Sequence, residues 1–317
     1  MNVKEITNIL KFSSKNNIDL INRAYNFNQK AHKGQKRMSG EPYFVHPFEA
    51  AKKVAQWKLD ALSVVAALLH DVVEDTKYTI DDIKKEFGEE VAFLVDGVTK
   101  LGRFKYRGAQ QKAENLRKMI LAISQDIRVI IIKLADRLHN MKTLSAILPN
   151  KQKRIALETT EIYAPLAYRL GMQVVAGELE DLAFPYIHPQ EYKWLIQNIK
   201  EKYEERHQYA EKVKPIIKKA IEEGGIKPIK IDSRAKRWSS LYKKLLRHDM
   251  DINQVYDLVA LRIIVRTIED CYAVLGIIHN LWPPLPGRIK DYIALPKPNG
   301  YRSLHTVVFC LNDRPTE

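Results

Sequence analysis

Apolar residues recur at i, i+3 and i+4 over residues 20–33, 47–56, 61–73, 79–87 and 88–99. That spacing lays one hydrophobic stripe along a helix. Asp81 and Asp82 enrich the first turn of the fourth segment, and Gly88 ends it. A polar stretch over 101–111 breaks the pattern, and 113–123 resumes it. Residues 129–138 have the Ile- and Leu-rich composition of a strand. They read as a buried helix, because Ala135-Asp136-Arg137-Leu138-His139-Asn140 continues them without a turn signal. Further helices are expected over 154–170 and 174–184, with Gly171 as the C-cap between them. Residues 191–223 read as a long helix rich in Glu/Lys pairs at i, i+4, a solvated face to which no chemistry is assigned.

The texture changes after Gly224-Gly225. Residues 226–231 alternate polar and apolar, as a half-buried strand does. Residues 239–247 look helical, and 255–265 are β-branched and nearly continuous, as in a central strand. A helix over 268–281 is stopped by Pro283, Pro284 and Pro286. Strands are expected over 289–295 and 303–311, flanking the turn Pro298-Asn299-Gly300-Tyr301. The pattern predicts an all-helical domain over residues 1–190 and an α+β domain over 191–317. There is no internal repeat and no low-complexity tract.

Composition narrows the setting. With 317 residues, 45% hydrophobic and 28% charged, the chain suits two globular domains with sizeable cores. The longest apolar run, around 64–69, is far short of a membrane span. The N-terminus has no secretory apolar region or cleavage site. Cys271 and Cys310 make no disulfide framework and no CxxC metal motif, so a reducing cytoplasm is the expected location. The formal net charge of +14 favours polyanionic partners: nucleic acid, phosphorylated small molecules or an acidic membrane surface. Its even spread weakly disfavours a simple nucleic-acid tail.

The candidate chemistry begins at His70-Asp71-Val72-Val73-Glu74-Asp75, where an apolar helical run ends in four titratable side chains. Burying such groups unpaired costs several kcal/mol, so they pair with each other or hold a metal. A partly solvated helix end with a stray His would serve this segment equally well. Two other places spend polar residues oddly. One is the turn-rich loop Gly34 to Pro47, which ends in His46 at a helix entrance. The other is Lys133 to Thr143, where Asp136 and Asn140 lie one turn apart on one helix face. Together His46, His70, Asp71 and Asp136 supply two imidazoles and two carboxylates. Such mixed ligands suit Mn²⁺ or Zn²⁺ better than Ca²⁺, with open positions for a water whose pKa the ion lowers. Singly, each has a plainer reading: a capped turn at His46-Pro47, or an ion pair of Asp136 with Arg137 or Arg103.

A His, then His-Asp, then a lone Asp on separate helices is the pattern of HD-type metal phosphohydrolases. The stretches GQKRMSGEPYFVHP, ALLHDVVEDT, FGEEVAFLVDGVTKL and KLADRLHNMKTL resemble more closely the hydrolase domain of the Rel/Spo family, in its N-terminal catalytic half. These are bifunctional synthetase/hydrolases of guanosine tetra- and pentaphosphate, (p)ppGpp. The resemblance covers essentially the entire chain. It implies a mainly α, HD-type metal phosphohydrolase domain followed by an α+β nucleotidyltransferase-like domain. It further implies that His46, His70, Asp71 and Asp136 ligate one Mn²⁺, and that Glu74 and Asp75 position or deprotonate the attacking water. Arg37 would hold a phosphate, and Asn140 and Thr143 would contact the nucleotide. Met38 departs from the basic residue usual in the family and is expected to weaken phosphate contact. The implied reaction removes the 3′-pyrophosphate, giving GDP or GTP plus pyrophosphate.

In the second half, Arg234, Lys236, Arg237, Ser240, Lys243 and Lys244 gather cations at a loop–helix junction, which suits phosphate. Asp257 is an acidic residue in a very apolar strand, costly unless it meets a metal. Arg288, Lys290, Asn299, Tyr301, Arg302 and His305 add cations, an aromatic and a His. A strand–turn–strand with ordinary surface cations is the alternative. This half resembles the family's synthetase domain, which moves pyrophosphate from ATP to the 3′-OH of GDP or GTP. On that resemblance Asp257 binds Mg²⁺, while Arg234, Lys236, Ser240 and Lys244 contact ATP phosphates. Arg288, Lys290, Asn299, Tyr301 and His305 surround the nucleotides, with Tyr301 stacked on guanine. The family's second carboxylate opens a Glu-x-Gln-Ile-Arg-Thr strand. Glu317 falls at that place and is the last residue, so it is expected to fray. The synthetase half is expected to be incomplete, its synthesis weak or absent, and no ribosome or tRNA contact is expected of this stretch. An HD phosphohydrolase of other nucleotides, or a catalytically silent (p)ppGpp- or RNA-binding regulator, are the competing functions.

Overall fold

The computed structural model describes residues 1–10, 14–102, 125–251, 258–297 and 300–317. The chain divides into two compact units, Met1–Ile187 and His188–Glu317.

The first unit is helical: α1 Lys4–Thr7, α2 Lys15–Ala31, α3 Val45–Gln56, α4 Ala61–Leu69, α5 Val72–Asp75, α6 Ile80–Phe87, α7 Glu89–Gly102, α8 Ile127–Lys142, α9 Pro149–Glu158, α10 Ala164–Arg169 and α11 Gln173–Ile187. Its centre is α4, which is apolar all round, as a helix buried on every face must be. Every α4 residue except Leu62 is buried, and the helix packs on α2, α3, α7 and α8. Asp60 caps it by accepting from the Ser63 backbone N–H. Thr79 and Asp82 form a reciprocal capping box at the start of α6. Gly171, with φ +76°, closes α10 in the left-handed conformation, as the sequence predicts, while Met172 N–H reaches back to the Ala167 carbonyl.

Residues 129–138 are helical, within α8. The segment over 61–73 is not one helix. It leaves helical pairing after Leu69, turns at His70 and Asp71 and resumes as α5. Neighbours on a helix point about 100° apart, and the turn brings the two side chains together. Residues 154–170 run on from α9 through a π-helical stretch, Thr159–Tyr163, into α10. The Thr159 and Thr160 hydroxyls donate to the Ile155 and Ala156 carbonyls at 2.7 and 3.2 Å, competing with the regular ladder. The expected helix over 113–123, the candidate pairing partner Arg103 and most of the polar 101–111 stretch lie outside the described residues.

The second unit starts with α12 Pro189–Glu223, followed by β1 Lys230–Ala235, α13 Trp238–Leu245, β2 Val259–Ile264 and α14 Ile268–Leu281. β1 and β2 are antiparallel, and Asp232 opposite Arg262 is joined by a forked ion pair of 3.0 and 2.7 Å. Short antiparallel pairs follow: β3 Lys290–Asp291 with β4 Leu304–His305, and β5 Val308–Phe309 with β6 Pro315–Thr316.

Three expected strands are corrected. The strand expected over 226–231 starts only at Lys230. Pro228 cannot donate to a ladder, and Ile226 N–H instead closes the end of α12 on the Ile221 carbonyl. The strand expected over 289–295 stops at Asp291, whose Oδ1 accepts from the Ile293 and Ala294 N–H groups and turns the chain. The strand expected over 303–311 splits into β4 and β5, which pair in different sheets. Of the central strand expected over 255–265, the paired part is β2; residues 252–257 lie outside the described residues. Among the described residues no helix is long and apolar enough to cross a membrane.

Gly97 lets α7 approach α8. A Cβ there would sit 2.9 Å from Val129 Cγ2, a buried branched side chain with one good rotamer in a helix. Gly97→Ala is therefore expected to cost about 1–3 kcal/mol through overpacking, against about 0.8–1 kcal/mol gained in helix propensity. Urea unfolding measures the net loss; a more stable variant would show that the two helices have slack.

Candidate metal centre and nucleotide pocket

Three helices of the first unit deliver the acid–base groups. His46 stands in the first turn of α3, His70 and Asp71 at the break after α4, and Asp136 in the middle of α8. His46, His70 and Asp136 are 1–3% exposed, and one ligand atom from each lies within 4.8 Å of the others. Asp71 closes the ring: its Oδ2 is 3.4 Å from His46 Nε2 and its Oδ1 is 3.1 Å from His70 Nε2. Asp136 Oδ1 is 3.1 Å from His46 Nε2 and 3.9 Å from His70 Nε2.

The donor chemistry fits a divalent ion. His70 Nδ1–H donates to the Ala67 carbonyl at 2.8 Å, which leaves a lone pair on Nε2. That Nε2 is buried, makes no hydrogen bond and faces carboxylate oxygens. Lone pairs set against carboxylate oxygens repel, and a cation between them reverses the sign. Among the described residues, His46, His70 and Asp136 thus make a buried cluster suited to a divalent ion, with Asp71 beside it.

A polar frame surrounds the ring. Lys133 Nζ is 2.7 Å from Asp136 Oδ2, and both are largely buried. Burial would raise the Asp136 pKa, but Lys133, joined by the two imidazoles when they are protonated, outweighs it and holds the carboxyl well below the usual range. Burial likewise opposes, and the His70 and His46 imidazoles override only when protonated, in holding Asp71 low. Lys133 is desolvated, yet Asp136 keeps it firmly protonated.

The candidate acids Glu74 and Asp75 sit in α5, exposed beside the ring. Partial desolvation pushes the Glu74 carboxyl upward, Lys133 opposes this, and Asp71 adds to the push. Tyr43 donates its hydroxyl to Asp75 Oδ2 at 2.5 Å, with Asp71 Oδ2 at 3.2 Å. Its ring stacks on His32 at 4.7 Å, and Gln35 links His32 Nδ1 to the Asp75 carbonyl.

Arg37 and Asn140 also come together here. Arg37 Nη2 donates to Asn140 Oδ1 at 2.5 Å, and Asn140 Nδ2 donates to Asp136 Oδ1 at 2.5 Å. Thr143 ends α8 and directs its hydroxyl to the His139 and Asn140 carbonyls. Met38, next to Arg37, is 66% exposed. Arg137 is not an Asp136 partner: it bonds Glu158 at 3.1 Å and stacks over Tyr163.

The sequence reading assigned no role to Tyr43, Lys133 or His139. Lys133 and His139 lie three residues to either side of Asp136 on α8, a spacing that puts them near its face of the helix. Tyr43 carried no such signal; only the folded loop before α3 brings it to Asp75. Burial lowers the His139 pKa to about 3, helped by His46 and Arg37.

In the second unit, Lys244, Arg288, Lys290 and His305 line one pocket together with Tyr292, Lys297 and Glu317. The β3–β4 register sets Lys290 opposite His305. Tyr301 OH is 3.0 Å from His305 Nε2, and Glu317 Oε1 is 2.7 Å from His305 Nδ1. Glu317, expected to fray, is held by that contact and by its carbonyl, which accepts from Leu261 N–H at 2.8 Å. Arg234 is exposed on β1, Lys236 follows β1, and Ser240 is half-buried in α13; none of the three lines the pocket. Asp257 and Asn299 lie outside the described residues.

Lys133→Met is expected to cost about 3–5 kcal/mol in metal-free chain, because Asp136 then remains buried without its cation. A bound divalent ion compensates the same carboxylate, so the penalty should shrink in saturating Mn²⁺. Unfolding titrations in chelator and in Mn²⁺ compare the two; equal penalties would mean that the ion and Lys133 do not share Asp136.

Residues 24–173 match the family model described as HD domain, and residues 233–317 match the one described as region found in RelA / SpoT proteins. The chain is 50% identical over 289 residues to a guanosine-3′,5′-bis(diphosphate) 3′-pyrophosphohydrolase of Aquifex aeolicus, covering 91% of this chain and 41% of that protein. It is 48% identical over 295 residues to a GTP pyrophosphokinase of Myxococcus xanthus, covering 92% and 39%. With the bifunctional (p)ppGpp synthase/hydrolase SpoT of Escherichia coli it shares 46% identity over 301 residues, covering 95% and 43%. The chain thus spans about two fifths of the length of these relatives.

Proposed function

The chain belongs to the Rel/Spo family, and from that premise we propose that its first unit hydrolyses the 3′-pyrophosphate of (p)ppGpp with a divalent ion, releasing GDP or GTP and pyrophosphate. The observation that carries this reading is the buried ring of His46, His70, Asp71 and Asp136, with the His70 Nε2 lone pair aimed into it. Two imidazoles with two carboxylates favour Mn²⁺ over Mg²⁺ as the occupant. When bound, the ion supplies Lewis acidity toward a phosphoryl group and lowers the pKa of a water.

The remaining work falls to this chain's own residues. Water attacks the phosphorus attached to the ribose 3′ oxygen; the bond between them breaks, and the 3′ oxygen leaves carrying a proton. Glu74, open to solvent and with its pKa raised, is suited to take the proton from the attacking water. Asp75, gripped by Tyr43, fixes the position of that acidic pair. Arg37 meets a phosphate, and Asn140 and Thr143 meet the nucleoside. Met38 offers no charge beside Arg37, so less of the phosphate binding comes from this loop.

For the second unit we propose transfer of pyrophosphate from ATP to the 3′-OH of GDP or GTP. Lys244, Arg288 and Lys290 share one pocket wall, an arrangement that would spread the charge of a transferring group. Arg234, Lys236 and Ser240 contact ATP, Asp257 and Glu317 carry Mg²⁺, and Asn299, Tyr301 and His305 surround the guanosine nucleotide with Tyr301 on the base. Substrates of this kind suit a cytoplasmic location.

Purified chain with Mn²⁺ is expected to release pyrophosphate from ppGpp, with chelator stopping the reaction and Mn²⁺ restoring it. Asp71→Ala should abolish release, and Glu74→Gln should lower kcat by roughly 10²–10⁴-fold with little change in KM. Equal cleavage of other nucleotides would make the first unit a general nucleotide phosphohydrolase. No cleavage with Mn²⁺, Zn²⁺ or Mg²⁺ would leave a nucleotide-binding regulator.

A further inference from the structure

Arg37 touches two residues that brace candidate metal ligands. Its Nη1 lies 3.1 Å from His139 Nδ1 while its Nη2 donates to Asn140 Oδ1. His139 Nδ1 is also 2.8 Å from His46 Nδ1. The direction of every bond in this chain follows from one fact: a guanidinium only donates. His139 Nδ1 must therefore be an acceptor, so its own proton sits on Nε2. A bare nitrogen 2.8 Å from His46 Nδ1 requires that His46 Nδ1 carry a proton and donate it. The other His46 nitrogen, Nε2, is then the one left to bind an ion between Asp71 and Asp136.

The same guanidinium settles the amide of Asn140. With Oδ1 taken by Arg37, Nδ2 is turned toward Asp136 Oδ1 and pins the second ligand. His70 has its own brace, the Ala67 carbonyl, and is independent of this arrangement.

We propose that Arg37 and His139 are positioning residues that set the hydrogen-bond polarity of the metal centre, Arg37 acting through His139 on His46 and through Asn140 on Asp136. The inference rests on reading His46, His70, Asp71 and Asp136 as the ligands. It gives Arg37 a task that precedes any phosphate contact, because the guanidinium organises the ligands before substrate arrives. It also gives His139 a reason to be an imidazole rather than any other half-buried side chain: an sp² nitrogen facing two donors, for which Asn Oδ1 is the nearest substitute.

The test needs no nucleotide. Nitrogen-15 NMR of the histidine rings in metal-free chain at pH 8 is expected to show His46 with a proton on Nδ1 and His139 with Nδ1 bare. Neutral His46 protonated on Nε2 alone would overturn the inference whatever the variants do. Mn²⁺ binding, followed by electron paramagnetic resonance without nucleotide, is expected to weaken 10–100-fold in His139→Leu and in Arg37→Met. His139→Asn, which restores an acceptor at the same reach, should recover affinity to within a few-fold of wild type, a rescue that loss of packing alone would not give. Wild-type affinity in His139→Leu, or no difference between the Leu and Asn variants, would contradict the proposal. Failure of the wild-type chain itself to bind Mn²⁺, Zn²⁺ or Mg²⁺ would instead defeat the reading of the four ligands, and the NMR result would still decide the tautomer.

Discussion

Two imidazoles and two carboxylates, held with their lone pairs converging in a nearly dry helical core, are not stable as neighbours unless something positive sits among them. Transfer of even one unpaired carboxylate from water costs several kcal/mol. The first unit answers this with three kinds of support. Lys133 compensates Asp136 directly, the Ala67 carbonyl and the His139 ring orient the imidazoles, and the converging atoms invite a divalent ion. The surrounding architecture serves that convergence. α4 is apolar on all faces so that its end can be carried deep into the core, and Gly97 lets α7 close on α8, the helix that presents Asp136.

Around the ring, polarity is graded. The innermost groups are the converging imidazoles and carboxylates, and Arg37, Asn140 and His139 are linked to His46 and Asp136 by hydrogen bonds. Only then come Glu74 and Asp75, facing solvent where a water and a substrate would enter. That gradient explains why Asp136 and Glu74 behave oppositely. Against the pull of burial, Lys133 keeps the Asp136 carboxyl low, while partial desolvation pushes the Glu74 carboxyl up. One site thereby sets a carboxylate whose proton affinity is lowered beside one whose proton affinity is raised.

The helical half was legible because its signals are local. The acidic first turn of α6, Gly171 as a cap and the turn-free continuation of 129–138 through Asn140 are each written within a few residues. The polar cluster was legible because polar groups in apolar helices are expensive, so His70, Asp71 and Asp136 stand out in any reading of the core. The break in α4 at His70 was not legible, since Val72 and Val73 continue the apolar spacing across it. The π-stretch at Thr159 was hidden likewise, because back-bonding by hydroxyls leaves the periodicity unchanged. In the second half, the strand limits depended on non-local pairing: Asp291 turns the chain with its own carboxylate, and Val308 pairs with Thr316 rather than extending from His305. Tyr43 and His139 escaped notice because their importance lies in a hydrogen bond to a residue far away in sequence.

The most direct measurement is anomalous diffraction at the manganese edge from crystals grown with Mn²⁺. The account predicts a single strong peak in the first unit, roughly 2 Å from His46 Nε2, His70 Nε2 and oxygens of Asp71 and Asp136, with His46 Nδ1 still directed at His139. An ion bound elsewhere in that unit, or one held through His46 Nδ1, would contradict it.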